Sequence, residues 1–136
     1  QPAVHLVVEG APRAIQLRVW EEAYMIGREA LLNAFQHAEA TSVEIRIRYS
    51  RHAFALRIRD DGVGFQPDAL AGAGHWGVAG MRERAARVGG TLNVRSAPSR
   101  QGTEILLQVR GSLAWEMTGF KGGTRRHLRR LLKRFW

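Results

Sequence analysis

Four patterns in this chain place residue types together that can do chemistry. Glu29 and Asn33 stand four apart in a stretch with helical spacing, so a carboxylate and an amide share one helix face. Such a pair can hold a hydrated divalent cation of the magnesium kind, which takes a few oxygen ligands and keeps its waters. A solvated pair on a helix edge is the commoner use of that spacing. Asp60-Asp61-Gly62-Val63-Gly64 closes an alternating strand, and parity continues the inward series Phe54, Leu56, Ile58 to Asp60 while turning Asp61 outward. A carboxylate at a core edge needs a hydrogen-bond donor. The amino group of a ligand base would serve; the plain alternative is a surface Asp-Gly turn. The run from Gly74 to Met81 leads glycines into a helix start, where free N–H groups can meet phosphate, or it is simply a linker. Thr103 is in phase with Ile105, Leu107 and Val109, so its hydroxyl points inward and can join Asp60 at the base of a pocket, although threonine is ordinary in strands.

The elements that must position these groups follow from periodicity. Residues 4–8 read as a short strand. Residues 14–38 carry Trp20, Ala23, Tyr24, Gly27, Leu31, Ala34 and Ala38 at three-and-four spacing, which predicts a long amphipathic helix. Residues 43–49 and 54–60 alternate strictly around the turn Ser50-Arg51-His52, as an antiparallel hairpin does. A glycine-rich loop follows from Gly62. Val78, Met81, Ala85 and Val88 then space a short helix that Gly89-Gly90 ends. Residues 91–95 and 103–109 are two more strands. The order implies an α+β fold: a two-layer sandwich with helices on one face of a mixed, largely antiparallel sheet. Periodicity breaks after Arg110. The expected division is a domain over 1–110 and a basic C-terminal tail over 111–136.

Composition removes several classes of function. The chain has 136 residues and no cysteine, so disulfides, thiolate metal sites and a Cys nucleophile are excluded. Its five histidines show no metal-binding spacing. No apolar run approaches the roughly 20 residues of a membrane span, and no signal peptide is expected. Much of the +9 net charge belongs to the tail, where seven Lys and Arg face one Glu, so the body is not expected to bind nucleic acid. Neither a P-loop nor a strand–GxGxxG–helix dinucleotide pattern is present.

Taken in order, the patterns resemble the GHKL family of ATPases, and within it the histidine kinases of the NarL/DesK type. Arg28 to Ala38 resembles the N box, Asp60 to Phe65 the G1 box, Gly77 to Ala85 the G2 box in its GMRER form, and Gly102-Thr103 the last motif. The resemblance covers roughly residues 1–110. It implies the Bergerat-type ATPase sandwich and ATP with Mg2+ as ligands. Asp60 would accept the adenine amino group, supported by Thr103 through water. Asn33 would coordinate magnesium with help from Glu29, His37 would reach the phosphates, and Gly62, Gly64, Gly77 and Gly80 would shape the cleft and its lid. It further implies a protein histidine kinase whose phosphoacceptor histidine lies on separate dimerisation helices, with a response regulator downstream. This chain would be a monomeric cytoplasmic domain of a membrane-anchored kinase.

Two departures stand out. Gln36 occupies a position where many members carry Lys, so one phosphate-neutralising charge is either missing or supplied by His37 or Arg28, and the loop before Gly77 is short, without room for a further box. Three rival readings follow from the same residues. The first is a stand-alone serine kinase of the anti-sigma-factor type. A second is a gyrase- or chaperone-like ATPase with Glu29 as base. A non-enzymatic module could instead bind polyanions, or an inner-leaflet surface, through the tail with Leu128, Leu131, Leu132 and Phe135 on one side.

Overall fold

Apolar–charged alternation builds the sheet, and a computed structural model describes it over residues 1–36, 39–64, 77–96 and 102–116. Strand β1 spans Ala3–Glu9, helix α1 Leu17–Gln36, β2 Ser42–Tyr49, β3 Ala53–Asp60, α2 Gly77–Arg87, β4 Thr91–Ser96, β5 Thr103–Arg110, and the single turn α3 Gly111–Ala114. The five strands lie in the order β1-β2-β3-β5-β4. β1 and β2 are parallel, which requires a crossover, and α1 is that crossover. The other three pairings are antiparallel. The expected fold class therefore holds: a mixed sheet, largely antiparallel, with α1 and α2 packed together on one face.

One sheet face is core. Val43, Ile45, Ile47, Phe54, Leu56, Ile58, Ile105, Leu107 and Val109 are buried there beneath Ala23, Ile26, Ala30 and Leu31 of α1 and Val78, Met81 and Ala85 of α2. The other face is charged. Glu44 accepts from Arg46 and from Arg57 at 3.0 Å each, and Arg46 also reaches Glu9 at 2.6 Å. These pairs are a third or so exposed and screened by solvent, so each adds little.

Helix α1 differs from its sequence reading in two ways. It begins at Leu17, not at residue 14, because Ile15 pairs with Trp115 as an isolated bridge. The Gln16 N–H donates to the Ala114 carbonyl, and the Glu116 N–H to that of Ala14. Its buried arc is also rotated. Val19, Ile26 and Ala30 are buried along with Ala23, Gly27, Leu31 and Ala34, whereas Trp20 and Tyr24 are half-buried. Contact with α2 on one flank pulls the burial toward that side. Trp20 and Tyr24 instead line an apolar groove with Leu6, Ile45 and Ile47. At Gly27 α1 rests on β3, where a Cβ would make ordinary contacts of 3.5 Å with Leu56 and 3.6 Å with Ile58. The helix is thus held against the strand that ends at Asp60.

Helix α2 ends as its glycines imply. The Gly90 N–H donates to the Ala85 carbonyl at 2.9 Å and the Gly89 N–H to that of Ala86 at 3.0 Å, the two bonds of a Schellman motif. Gly89 takes φ +68° to allow it.

Packing continues past the expected boundary at residue 110. Gly111 donates to the His52 carbonyl at 2.6 Å, and α3 delivers Trp115 into the core, 6% exposed. Its indole stacks on Tyr49 at 5.9 Å and meets Phe54 edge-on at 6.2 Å, while the Arg13 guanidinium lies 4.8 Å over the ring. The first residues assigned to the tail are therefore domain residues. The basic stretch, with Leu128, Leu131, Leu132 and Phe135, lies outside the described residues.

Candidate functional site

Asp60 is the last residue of β3 and faces the core side, as strand parity requires; its neighbour Asp61 is exposed. Asp60 is only 7% exposed, and Thr103, its partner across β5, is 6% exposed. Burial pushes the Asp60 carboxyl above its usual range. Backbone N–H groups of Gly62 and Thr103 pull the other way, and the Gly62 bond to Oδ1 is 2.8 Å long. Two donors leave lone pairs on this carboxylate for a third. The Thr103 hydroxyl lies 2.8 Å from that of Ser96, so β4 contributes a second hydroxyl to the same corner.

Gly102 holds this corner shut. Its N–H donates to the Gly62 carbonyl at 2.6 Å, and its φ is +90°. A Cβ there would fall 2.1 Å from the Asp60 carbonyl oxygen. No side chain fits at that position, whatever its chemistry.

Asp61 has a purely local job. Its Oδ1 accepts the Thr41 N–H at 2.8 Å and the Ser42 N–H at 2.9 Å, and its Oδ2 accepts the Thr41 hydroxyl at 2.5 Å. It ties the chain leaving α1 to the end of β3. The Thr41 hydroxyl and these backbone donors hold its carboxyl below the usual carboxylate range. A depressed folded value contributes stability that is present at neutral pH and lost as pH falls through that value. Asp61→Ala is therefore expected to lower the unfolding midpoint at pH 7, with the gap to the parent protein closing below about pH 4. A gap that stays constant across a pH series of thermal melts would contradict this account.

On α1, Glu29 and Asn33 are both half-buried, on the flank of the apolar arc as the spacing implies. Two turns upstream on the same flank is Glu22. Its carboxylate meets Arg84 of α2 at 3.1 Å and Arg87 at 3.6 Å. The polar flank of α1 thus faces α2, whose first turn holds Gly77 and Gly80, both buried. Among the described residues no three His, Cys, Asp or Glu side chains come together as a metal cage. Glu29 and Asn33 fit the other kind of site, where one or two protein oxygens supplement phosphate and water.

The structure thus joins Asp60, Gly62, Thr103 and Gly102 in one corner and puts Glu29 and Asn33 on the helix held against that strand. Gly64, at φ +73°, follows directly. His37 lies outside the described residues, as do Gly72, Gly74 and His75. Sequence reasoning missed Ser96 and the Glu22 pair. Glu22 did leave a signal, since it is seven residues before Glu29 and hence on the same face.

Comparison with known proteins finds similar sequences and similar folds. The family model described as histidine kinase-, DNA gyrase B-, and HSP90-like ATPase matches residues 20–112. The sensor histidine kinase LiaS of Bacillus subtilis (strain 168) is 33% identical over 96 residues, covering 71% of this chain and 26% of LiaS. The oxygen sensor histidine kinase NreB of Staphylococcus carnosus (strain TM300) is 38% identical over 87 residues, covering 63% of this chain and 24% of NreB. The chain therefore spans about a quarter of the length of these relatives. Among solved structures, the histidine kinase domain of the Erythrobacter litoralis EL346 blue-light activated histidine kinase superposes with a TM-score of 0.60 at 23% identity, covering 80% of this chain and 55% of that one. The ATP binding domain of PrrB from Mycobacterium tuberculosis does so with 0.57 at 22% identity, covering 82% of each. These two share the fold.

Proposed function

The chain belongs to the histidine kinase-, DNA gyrase B-, and HSP90-like ATPase family, an ATP-binding family, and from that premise we propose that it is the catalytic unit of a sensor histidine kinase. The observation that carries the reading is Asp60: a buried carboxylate kept in place by two backbone donors, with acceptor capacity left over at the end of a core strand. An adenine amino group supplies the missing donor, whereas a guanine would present a carbonyl oxygen to a carboxylate. Thr103 and Ser96 offer hydroxyls for a bridging water on the same edge.

Glu29 and Asn33 are the residues that would hold Mg2+, which supplies charge neutralisation on the phosphates. Gly62, Gly64, Gly77 and Gly80 leave the backbone bare where a triphosphate must pass, and His37 is the residue that the family resemblance assigns to the phosphates. Gln36 brings no charge there. With the nucleotide so placed, an imidazole nitrogen on a separate helix attacks the γ-phosphorus. A P–N bond forms, the bond to the β-phosphate oxygen breaks, ADP leaves, and the imidazole proton passes to a base outside this chain. The phosphoryl group then moves to an aspartate of a response regulator. Among the described residues no helix is long and apolar enough to cross a membrane. The acceptor helices and a membrane anchor are proposed for other parts of the kinase.

The test is labelling of the full-length kinase with γ-labelled ATP. Acid-labile, base-stable phosphate on a histidine outside these 136 residues is expected, together with ATP binding but no self-labelling by the isolated chain. Acid-stable phosphate on a serine of a partner protein would replace this reading with that of a serine kinase.

A further inference from the structure

Glu22, Glu29 and Asn33 occupy one edge of α1, because seven residues make almost two full turns and four more make about one. Helix α2 runs alongside in the opposite direction. α1 ends next to the Thr41–Asp61 junction, at the Asp60 end of the sheet. α2 ends at the other extreme, where a Cβ on Gly90 would stand 3.0 Å from the Gln108 carbonyl and from Val109. Arg84 is seven residues from Gly77, and Glu22 is seven from Glu29. Each run rises about 10 Å. The Glu22–Arg84 contact therefore sets the first residue of α2 level with Glu29.

This contact is well placed to fix a register. The Glu22 and Arg84 side chains are 18% and 19% exposed, and Arg87 closes on the other Glu22 oxygen. A slip of one turn would carry Gly77 about 5 Å along α1. It would also leave a mostly buried carboxylate unpaired, which is strongly unfavourable. The apolar contacts around it, through Ala23, Ile26, Val78, Met81 and Ala85, are non-directional, whereas the ion pair names specific partners.

We infer that Glu22, with Arg84 and Arg87, is the positioning device that locks α2 against α1 so that the start of α2 faces Glu29 and Asn33, and that it thereby sets affinity for the phosphates of ATP rather than for the base. The inference rests on the nucleotide-site reading above. Neither Glu22 nor its arginines touch the nucleotide in this view; they act through the helix register.

Calorimetry on the 136-residue chain separates the two parts of the ligand. With Glu22→Gln, Mg-ATP affinity is expected to fall about fivefold or more while adenosine affinity stays within about twofold. The exchanged pair Glu22→Arg with Arg84→Glu is expected to regain most of the ATP affinity. Hydrogen exchange of the Val78–Arg82 amides should quicken in Glu22→Gln and slow again in the exchanged pair. Unchanged ATP affinity in Glu22→Gln would overturn the inference, as would an equal loss for adenosine, which would mean general damage to the fold. Failure of the unaltered chain to bind either ligand would instead overturn the nucleotide site itself, and the inference with it.

Discussion

Asp60→Asn is expected to raise the dissociation constant for ATP on the order of 100-fold, the roughly 3 kcal/mol of a hydrogen bond to a charged, water-poor acceptor. The same change is expected to make the nucleotide-free domain more stable at pH 7. The two effects share one cause. Burial raises the Asp60 carboxyl above its usual range, so the folded chain binds a proton more tightly than the unfolded chain does. Keeping this group charged therefore costs stability above its folded pKa, and the cost disappears as pH falls through that value. Asparagine keeps an acceptor oxygen for the Gly62 N–H but carries no charge to bury. The parent protein should gain on the variant as pH drops from 7 to about 4, the ordinary aspartate range, opposite in sign to the behaviour expected of Asp61. Calorimetry with ATP and GTP, beside thermal melts at the two pH values, reads both halves. ATP binding that survives the substitution would remove Asp60 from the site.

Trp115→Ala is expected to cost about 3–5 kcal/mol, the range for truncating a large buried aromatic. Domains of this size are stable by only about 5–15 kcal/mol in total. The indole is 6% exposed, stacked on Tyr49, edge-on to Phe54 and capped by Arg13. It also fastens Ile15, and so the approach to α1, to the far end of β5. Urea unfolding should show the loss, with Trp115→Phe losing less. A chain ending at Arg110 should fail to unfold cooperatively. A cost under about 1 kcal/mol for the alanine variant would mean that the domain closes without this residue.

These expectations show where local sequence information stops. Strand parity placed Asp60 inward and Asp61 outward correctly, because a period of two fixes a face once its neighbours are apolar. It could not say that Asp61 would collect three donors from Thr41 and Ser42, since those sit some twenty residues away in sequence and meet it only when β2 pairs with β3. Periodicity alone centres the helical stripe one notch off, toward Trp20 and Tyr24, because the sequence does not reveal on which flank a second helix packs. Trp115 escapes a reading by periodicity for a related reason. A single aromatic after a one-turn helix has no period to detect, and its partners Ile15, Tyr49 and Phe54 are remote along the chain.

The sequence by itself determined the strand and helix order, the core faces of the strands, the Schellman end of α2 and the family to which the motifs point. Each of these is written in residues a few positions apart. Tertiary structure alone decided the 1-2-3-5-4 strand order, the packing of Trp115, the corner in which Gly102 locks Asp60 against Thr103, and the pairing of Glu22 with α2. Those depend on which surfaces meet after the chain has folded back on itself. That choice is made by burial and pairing summed over the whole domain, so no short window of residues carries it.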